Sequence, residues 1–154
     1  RLKRLAEERR AVLVTPRTGA FTGAAGAQAF DALLETLQSD YRIDPRRVFV
    51  LGHSMGGMAA NALLSSRGGK ITAAACLCGF QGFADGTSGI PPVLVVAGEL
   101  DPIVSPARIE PAFRKAKAAG LPVEYRLVAN YGHTLTVAKI LPEAVAWLFA
   151  QSPR

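Results

Sequence analysis

Arg47-Val48-Phe49-Val50-Leu51-Gly52-His53-Ser54-Met55-Gly56-Gly57 is the stretch that decides the fold. A short apolar, β-branched run ends at Gly52, and a helix-compatible run begins at Met55. A serine at so sharp a strand-to-helix turn takes a strained backbone, which lifts its Oγ above the sheet edge. The residues two before and two after must be small, because their Cβ atoms would strike strand and helix. Gly52 and Gly56 meet that need, and Gly57 adds room for close helix packing. The helix N-terminus carries partial positive charge and favours a developing oxyanion, to which the Met55 N–H is one donor. G-x-S-x-G also occurs as a glycine-rich turn with an incidental serine. A phosphate loop is disfavoured, since neither G-x-x-x-x-G-K-[ST] nor G-x-G-x-x-G is present.

Outward from this turn the chain alternates between two kinds of segment. Strands are predicted at Ala11–Thr15, Arg47–Leu51, Ile71–Cys78, Pro92–Ala97 and Val123–Ala129. Helices are predicted over Leu2–Arg10, Ala27–Tyr41, Met55–Ser65, Pro106–Ala119 and within Leu135–Gln151. Phe30, Leu33, Leu34 and Leu37 give the second of these its apolar stripe. Arg17–Gly26, with Gly19, Gly23 and Gly26, reads as a flexible loop, and Gly79–Gly89 as a long one. Continuous Val/Ile/Leu strands separated by helices mean a mostly parallel sheet, buried on both faces by helices. No repeat, linker or composition shift divides residues 1–154, so one domain is expected.

Composition excludes several classes. The 154 residues are 49% hydrophobic and 19% charged, which rules out wholesale disorder. No apolar run approaches the ~18–20 residues of a membrane span. Half of the +6 net charge lies in Arg1–Arg10, where five Lys/Arg meet Glu7 and Glu8. No aromatic residues interleave with those charges, so this segment reads as a solvated helix face and not a nucleic-acid surface. Cys76 and Cys78 sit in an apolar run and read as buried thiols. With two cysteines and two histidines in all, neither a disulfide scaffold nor a metal site is expected.

A nucleophilic serine needs a base and a group to orient it. His53 neighbours Ser54, and adjacent side chains on extended backbone point to opposite faces, so a structural or pocket-lining role suits it better. His133 follows the strand ending at Ala129, at the carboxyl edge where open α/β sheets bind ligands. It is the expected base. Asp101 follows the strand Pro92–Ala97 at the same edge, with Pro102 stiffening its turn, and is the expected orienter. Its plainer role is to cap that turn. Glu99 is the runner-up; Asp85, Glu110 and Glu124 fall in a loop, a helix and a strand. Phe80 and Phe83 of the long loop are expected to line an acyl or alcohol pocket, or to tuck beneath a surface crossover.

The order Ser54, Asp101, His133, each after a strand, resembles the α/β-hydrolase superfamily. The run Tyr41–Gly57 (YRIDPRRVFVLGHSMGG) is similar to the polyhydroxybutyrate-depolymerase-like and feruloyl-esterase-like esterases. Dienelactone hydrolases, phospholipase/carboxylesterases and prolyl-oligopeptidase-type peptidases carry similar runs. The resemblance extends from about Ala11 to Phe149 and implies a three-layer α/β-hydrolase fold. It implies cleavage of small-molecule or polymeric carboxylic esters through an acyl-enzyme on Ser54, with no cofactor. A peptidase or acyl-aminoacyl hydrolase on the same triad, or an inactive hydrolase-like binding domain, are the rival readings. The family's first three strands and its second oxyanion loop find no counterpart before Ala11. The expectation is an N-terminally truncated domain whose sheet a preceding segment or a second chain would complete.

Overall fold

The computed structural model describes residues 1–16 and 23–151. Among these, helix α1 spans Leu2–Glu8 and α2 Gly23–Asp40. Strand β1 (Phe49–His53) then passes into α3 (Met55–Arg67), and β2 (Ala73–Leu77) follows. Strand β3 (Val93–Gly98), α4 (Pro106–Ala118), β4 (Val123–Val128) and α5 (His133–Ala150) complete the order. No described helix is long and apolar enough to cross a membrane.

The four strands lie in the order β1-β2-β3-β4, all parallel. Register aligns His53 with Leu77, Leu77 with Val96 and Gly98 with Val128. Every strand therefore delivers its carboxyl end to one edge, and the residues that follow the strands gather there. Right-handed crossovers between sequential parallel strands must all pass over the same face. Accordingly α3, α4 and the segment from Phe80 to Ile90 cover one face, together with α2, on a core that includes Phe30, Leu64, Cys76, Val95 and Ile109. The other face packs Ala75, Leu77, Leu94 and Val96 against Ile140, Ala144 and Leu148 of α5. Alternate residues of β2 and β3 thus serve opposite cores, which explains their unbroken apolar sequence. Helix α1 sits outside α5, with Leu5 against Leu141 and Val145. Its Lys3 and Arg4 are exposed and pair with Glu7 and Glu8 one turn on.

Two expectations need correction. Ala11–Thr15 forms no strand; Val12, Leu13 and Val14 are 49, 40 and 37% exposed. β-branched composition supplies only a preference, and a strand exists by pairing. Among the described residues β1 has β2 as its single neighbour, and nothing pairs with Ala11–Thr15. The loop predicted over Arg17–Gly26 does not extend to Gly26, since Gly23–Gly26 forms the first turn of α2; residues 17–22, Gly19 among them, lie outside the described residues.

Polar contacts fasten the connections. Thr72 extends the β1–β2 ladder: its hydroxyl accepts from the Val48 N–H at 3.0 Å and donates to the Arg46 carbonyl at 2.6 Å. Buried Asn61 of α3 clamps the long loop, accepting from the Gln81 N–H (2.8 Å) and donating to the Gly82 carbonyl (3.0 Å). Asp31 ties α2 to the end of α3, accepting from Lys70 at 2.6 Å and Arg67 at 2.7 Å. Those two cations, Lys70 first, hold its carboxyl below the usual aspartate value.

The β1–α3 turn rests on glycines, though not in the expected way. A Cβ on Gly52 would fall inside the Gly56 carbonyl, so Gly52 must lack one. Gly57 packs against Gly79, whose carbonyl would stand 2.7 Å from a Gly57 Cβ. A Cβ on Gly56 would meet nothing within 4 Å, so steric need does not account for that residue.

Gly52→Ala should destabilise the protein by about 1–3 kcal/mol or more, read as a lower urea midpoint, whereas Gly56→Ala should leave the midpoint unchanged or raise it. Equal midpoints would remove the steric argument. A depressed carboxyl contributes stability above its unfolded value and loses it as pH falls through the folded one. Asp31→Asn should therefore lower Tm at pH 7, and the difference from the parent should shrink below pH ~4. A gap that persists in acid would show that the pairing charge is not its source.

Candidate active site

Ser54 is the single residue between β1 and α3, and its backbone lies at φ 55°, ψ −119°. Positive φ is unfavourable for a residue with a Cβ and marks stored strain. The turn holds it there. The Ser54 N–H donates to the Leu77 carbonyl at 2.9 Å, its own carbonyl accepts from Met58 at 3.1 Å, and Gly79 presses against its backbone. Met55 opens α3, where first-turn N–H groups have no acceptor within the helix.

Asp101 lies in the loop after β3, and His133 is the first residue of α5, after β4. Their side chains meet, His133 Nδ1 standing 2.7 Å from Asp101 Oδ2. The Asp101 side chain is fully buried and that of His133 is 10% exposed. The other carboxylate oxygen, Oδ1, accepts from the Ile103 and Val104 N–H groups, both at 2.9 Å. Asp101 thus caps its own turn and holds the imidazole at once. Burial pushes its carboxyl up; the hydrogen bonds from Val104, His133 and Ile103 outweigh that and leave it below the usual value. An ionised carboxylate on Nδ1 fixes that nitrogen as the protonated one and leaves Nε2 as the basic site.

The loops carrying the two residues are laced together. The Glu99 N–H donates to the Val128 carbonyl at 3.0 Å, and Leu100 to the Tyr131 carbonyl at 3.0 Å. The Glu99 carboxylate accepts from the Asn130 N–H at 2.8 Å. Glu99 therefore serves the histidine loop, not the imidazole. Asn130, at φ 61°, is a second strained position at this edge, and Cys78, at φ 50°, a third.

His53 projects toward α5, its ring 4.6 Å from that of His133 and inclined by 45°. Its buried Nε2 makes no close hydrogen bond among the described residues, though the His133 backbone beside it opposes the fall in its pKa. Burial first, then the neighbouring His133, lowers its pKa. Cys78 is the buried thiol that its apolar run predicts, at a place the run does not reveal. Its Sγ lies 3.8 Å from the His133 carbonyl, beneath the site. Burial raises the thiols of Cys76 to about 12 and of Cys78 to about 11. The signal in sequence was that Cys78 comes one residue after a strand, as Ser54 does.

Phe80 stands apart from the expected pocket. It is 3% exposed, held in the core with Phe83 edge-on at 5.6 Å. Phe83 lines a cleft of about 50 Å³ with Asp85, Thr87, Lys115 and Leu121, among which none of Ser54, Asp101 and His133 appears.

Several solved structures share this architecture. A thermostable esterase, 24% identical, superposes with a TM-score of 0.71 over 86% of this chain and 38% of its own length. Esterase PE8 is 25% identical, with a TM-score of 0.65 over 92% of this chain and 68% of its own. FphF, a fluorophosphonate-binding serine hydrolase of Staphylococcus aureus, is 15% identical, with a TM-score of 0.80 over 96% of this chain and 74% of its own. The chain therefore spans well under half of the first of these proteins. No curated protein has a significantly similar sequence. The sequence profile of the dienelactone hydrolase family, one of the groups that the run Tyr41–Gly57 resembles, matches residues 4–141. With a match over nearly its whole length and this α/β-hydrolase architecture, the chain belongs to the dienelactone hydrolase family.

Proposed function

We propose that this chain carries the catalytic residues of a serine hydrolase acting on carboxylic esters. Ser54 Oγ attacks the acyl carbonyl while His133 Nε2 takes its proton. Asp101 holds the imidazole tautomer and stabilises the imidazolium. The Met55 N–H donates to the oxyanion. His133 then returns the proton to the leaving alcohol, and water cleaves the acyl-enzyme by the same route. One observation carries the reading: a buried carboxylate holds His133 by Nδ1 at 2.7 Å on the same sheet edge that presents the strained Ser54. A merely structural histidine has no need of a buried, doubly engaged carboxylate.

The residues beside the three groups speak to substrate. Met55 follows Ser54, Leu100 and Ile103 bracket Asp101, and Leu135 lies two beyond His133. They are 79, 62, 59 and 64% exposed. Large apolar side chains so exposed at one rim favour an ester with an apolar acyl or alcohol part.

Ser54→Ala should lower kcat for a p-nitrophenyl ester about 10⁴-fold or more, and a fluorophosphonate should label the parent at Ser54 but not the variant. Retained turnover, or labelling elsewhere, sinks the assignment. Asp101→Asn should cost about 10⁴ in kcat through the wrong imidazole tautomer; a loss under tenfold would leave Asp101 only its capping role. Butyrate and octanoate esters should show higher kcat/KM than acetate, and Leu100→Ser with Leu135→Ser should erase that preference. A preference for acetate in the parent would dismiss the apolar rim.

A further inference from the structure

We infer that His53 and Cys78 are positioning residues for the base, holding the ring and the backbone of His133 from the strand side while Asp101 holds Nδ1. Helix α5 starts at His133, and its cap residue, Gly132, has no side chain to bond the free N–H groups of the first turn. No acidic residue in that turn takes the place of a cap. Helix ends fray unless something ties them down. A base must be held within about 0.5 Å of its productive place, so the start of α5 needs support that the helix itself does not give.

Three strand ends supply it. His53, the last residue of β1, lays its ring 4.6 Å from that of His133, inclined by 45°, and beside the His133 backbone. Cys78, the first residue after β2, brings its Sγ to 3.8 Å from the His133 carbonyl. Gly98 closes β3; a Cβ there would collide with the Thr136 hydroxyl and stand 2.7 Å from the Tyr131 carbonyl, so strand and helix start lie in direct contact. Thr136 is fully buried, and its hydroxyl donates to the Gly132 carbonyl at 2.7 Å, closing the first turn from within.

Asp101 cannot do this alone. A hydrogen bond at Nδ1 fixes the tautomer, but the ring can still swing about it, and Nε2 on the far side swings furthest. The ring of His53 blocks one direction of that swing. Burial first, then His133, lowers the pKa of His53, so at neutral pH it packs as an uncharged ring and leaves the Asp101 carboxylate to His133. His53 directly precedes Ser54, so one strand end sets nucleophile and base together. Cys78 is a fixed platform: it is 0% exposed, its backbone lies at φ 50°, and its N–H donates to the Val96 carbonyl at 2.8 Å. Burial first, then the Asp101 carboxylate, keeps the proton on its sulfur. The thiol is thus a donor with two acceptors at hand, the His133 carbonyl and the Asp101 carboxylate. The effect of both residues on turnover rests on the proposed function, whereas their grip on the Asp101–His133 pair does not.

Two readouts on the intact chain test this: kcat and KM for a p-nitrophenyl ester, and the low-field proton resonance of the His133–Asp101 hydrogen bond. His53→Ala should lower kcat by about 10²-fold with KM unchanged, the cost of a misplacement near 1 Å, and should broaden or remove the resonance. His53→Phe, which keeps an uncharged ring, should restore both. Cys78→Ala should lower kcat by about 2–10-fold, the worth of one hydrogen bond, and Cys78→Ser, which keeps a donor, should recover it. Should His53→Ala fail to fold, the two Cys78 variants carry the test. Unchanged kcat and resonance in both alanine variants overturn the inference. A fall in kcat that leaves the resonance intact, or that His53→Phe does not restore, overturns it too. A parent that cleaves no ester, yet loses the resonance in His53→Ala, supports the positioning role and removes only the hydrolase reading.

Discussion

The carboxylate of Asp101 is the contact on which the rim is organised. One oxygen takes two backbone N–H groups of its own turn, and the other takes His133. A fully buried carboxylate without partners would be too costly to keep. Here each oxygen is engaged, and the hydrogen bonds outweigh burial enough to lower the pKa. Removing any one donor leaves the charge in apolar surroundings with fewer partners. The two loops are therefore coupled: whatever moves the turn at Ile103–Val104 also moves the imidazole. The Glu99–Asn130 bond and the Leu100–Tyr131 pairing reinforce that coupling from the solvent side.

Much of this could be read from residues alone, and the failures have physical causes. Strands β2 and β3 were legible because a parallel strand buried on both faces needs an unbroken apolar run, and Ala73–Leu77 and Val93–Gly98 supply one. Chain order and edge position singled out Ser54, Asp101 and His133, and the Asp101–His133 contact follows from that topology. Ala11–Thr15 has the same local composition and forms no strand, because pairing is a property of neighbours and not of the segment. Gly56 was assigned a steric duty that falls on Gly52 and Gly57 instead. The difference lies in where each Cβ would point, which no residue spacing reveals.

The convergence of His53, Cys78 and His133 was illegible for a related reason. They come from the end of β1, the residue after β2 and the start of α5, separated by up to eighty positions. Spacing along the chain does not say which side chains will meet. A parallel sheet in register biases that outcome. It sends whatever follows each strand to one edge, and both histidines and Cys78 lie at or just past a strand end.

Strain at this edge is concentrated where those strands end. Of the four described non-glycine residues at positive φ, Ser54, Cys78 and Asn130 directly follow β1 or β2 or come two after β4. Such conformations cost ~1–3 kcal/mol each and persist only where the surroundings over-determine them. For Ser54 those surroundings are unequal. Among the described residues β1 is half-buried and pairs with β2 alone, whereas β2 is buried throughout. The ladder alone therefore holds Ser54 weakly, by its N–H on Leu77. The remainder comes from α3, whose Gly57 packs on Gly79 while Gly79 packs on the Ser54 backbone. Three backbones in close contact, with no side chain between them to yield, lock the serine in place.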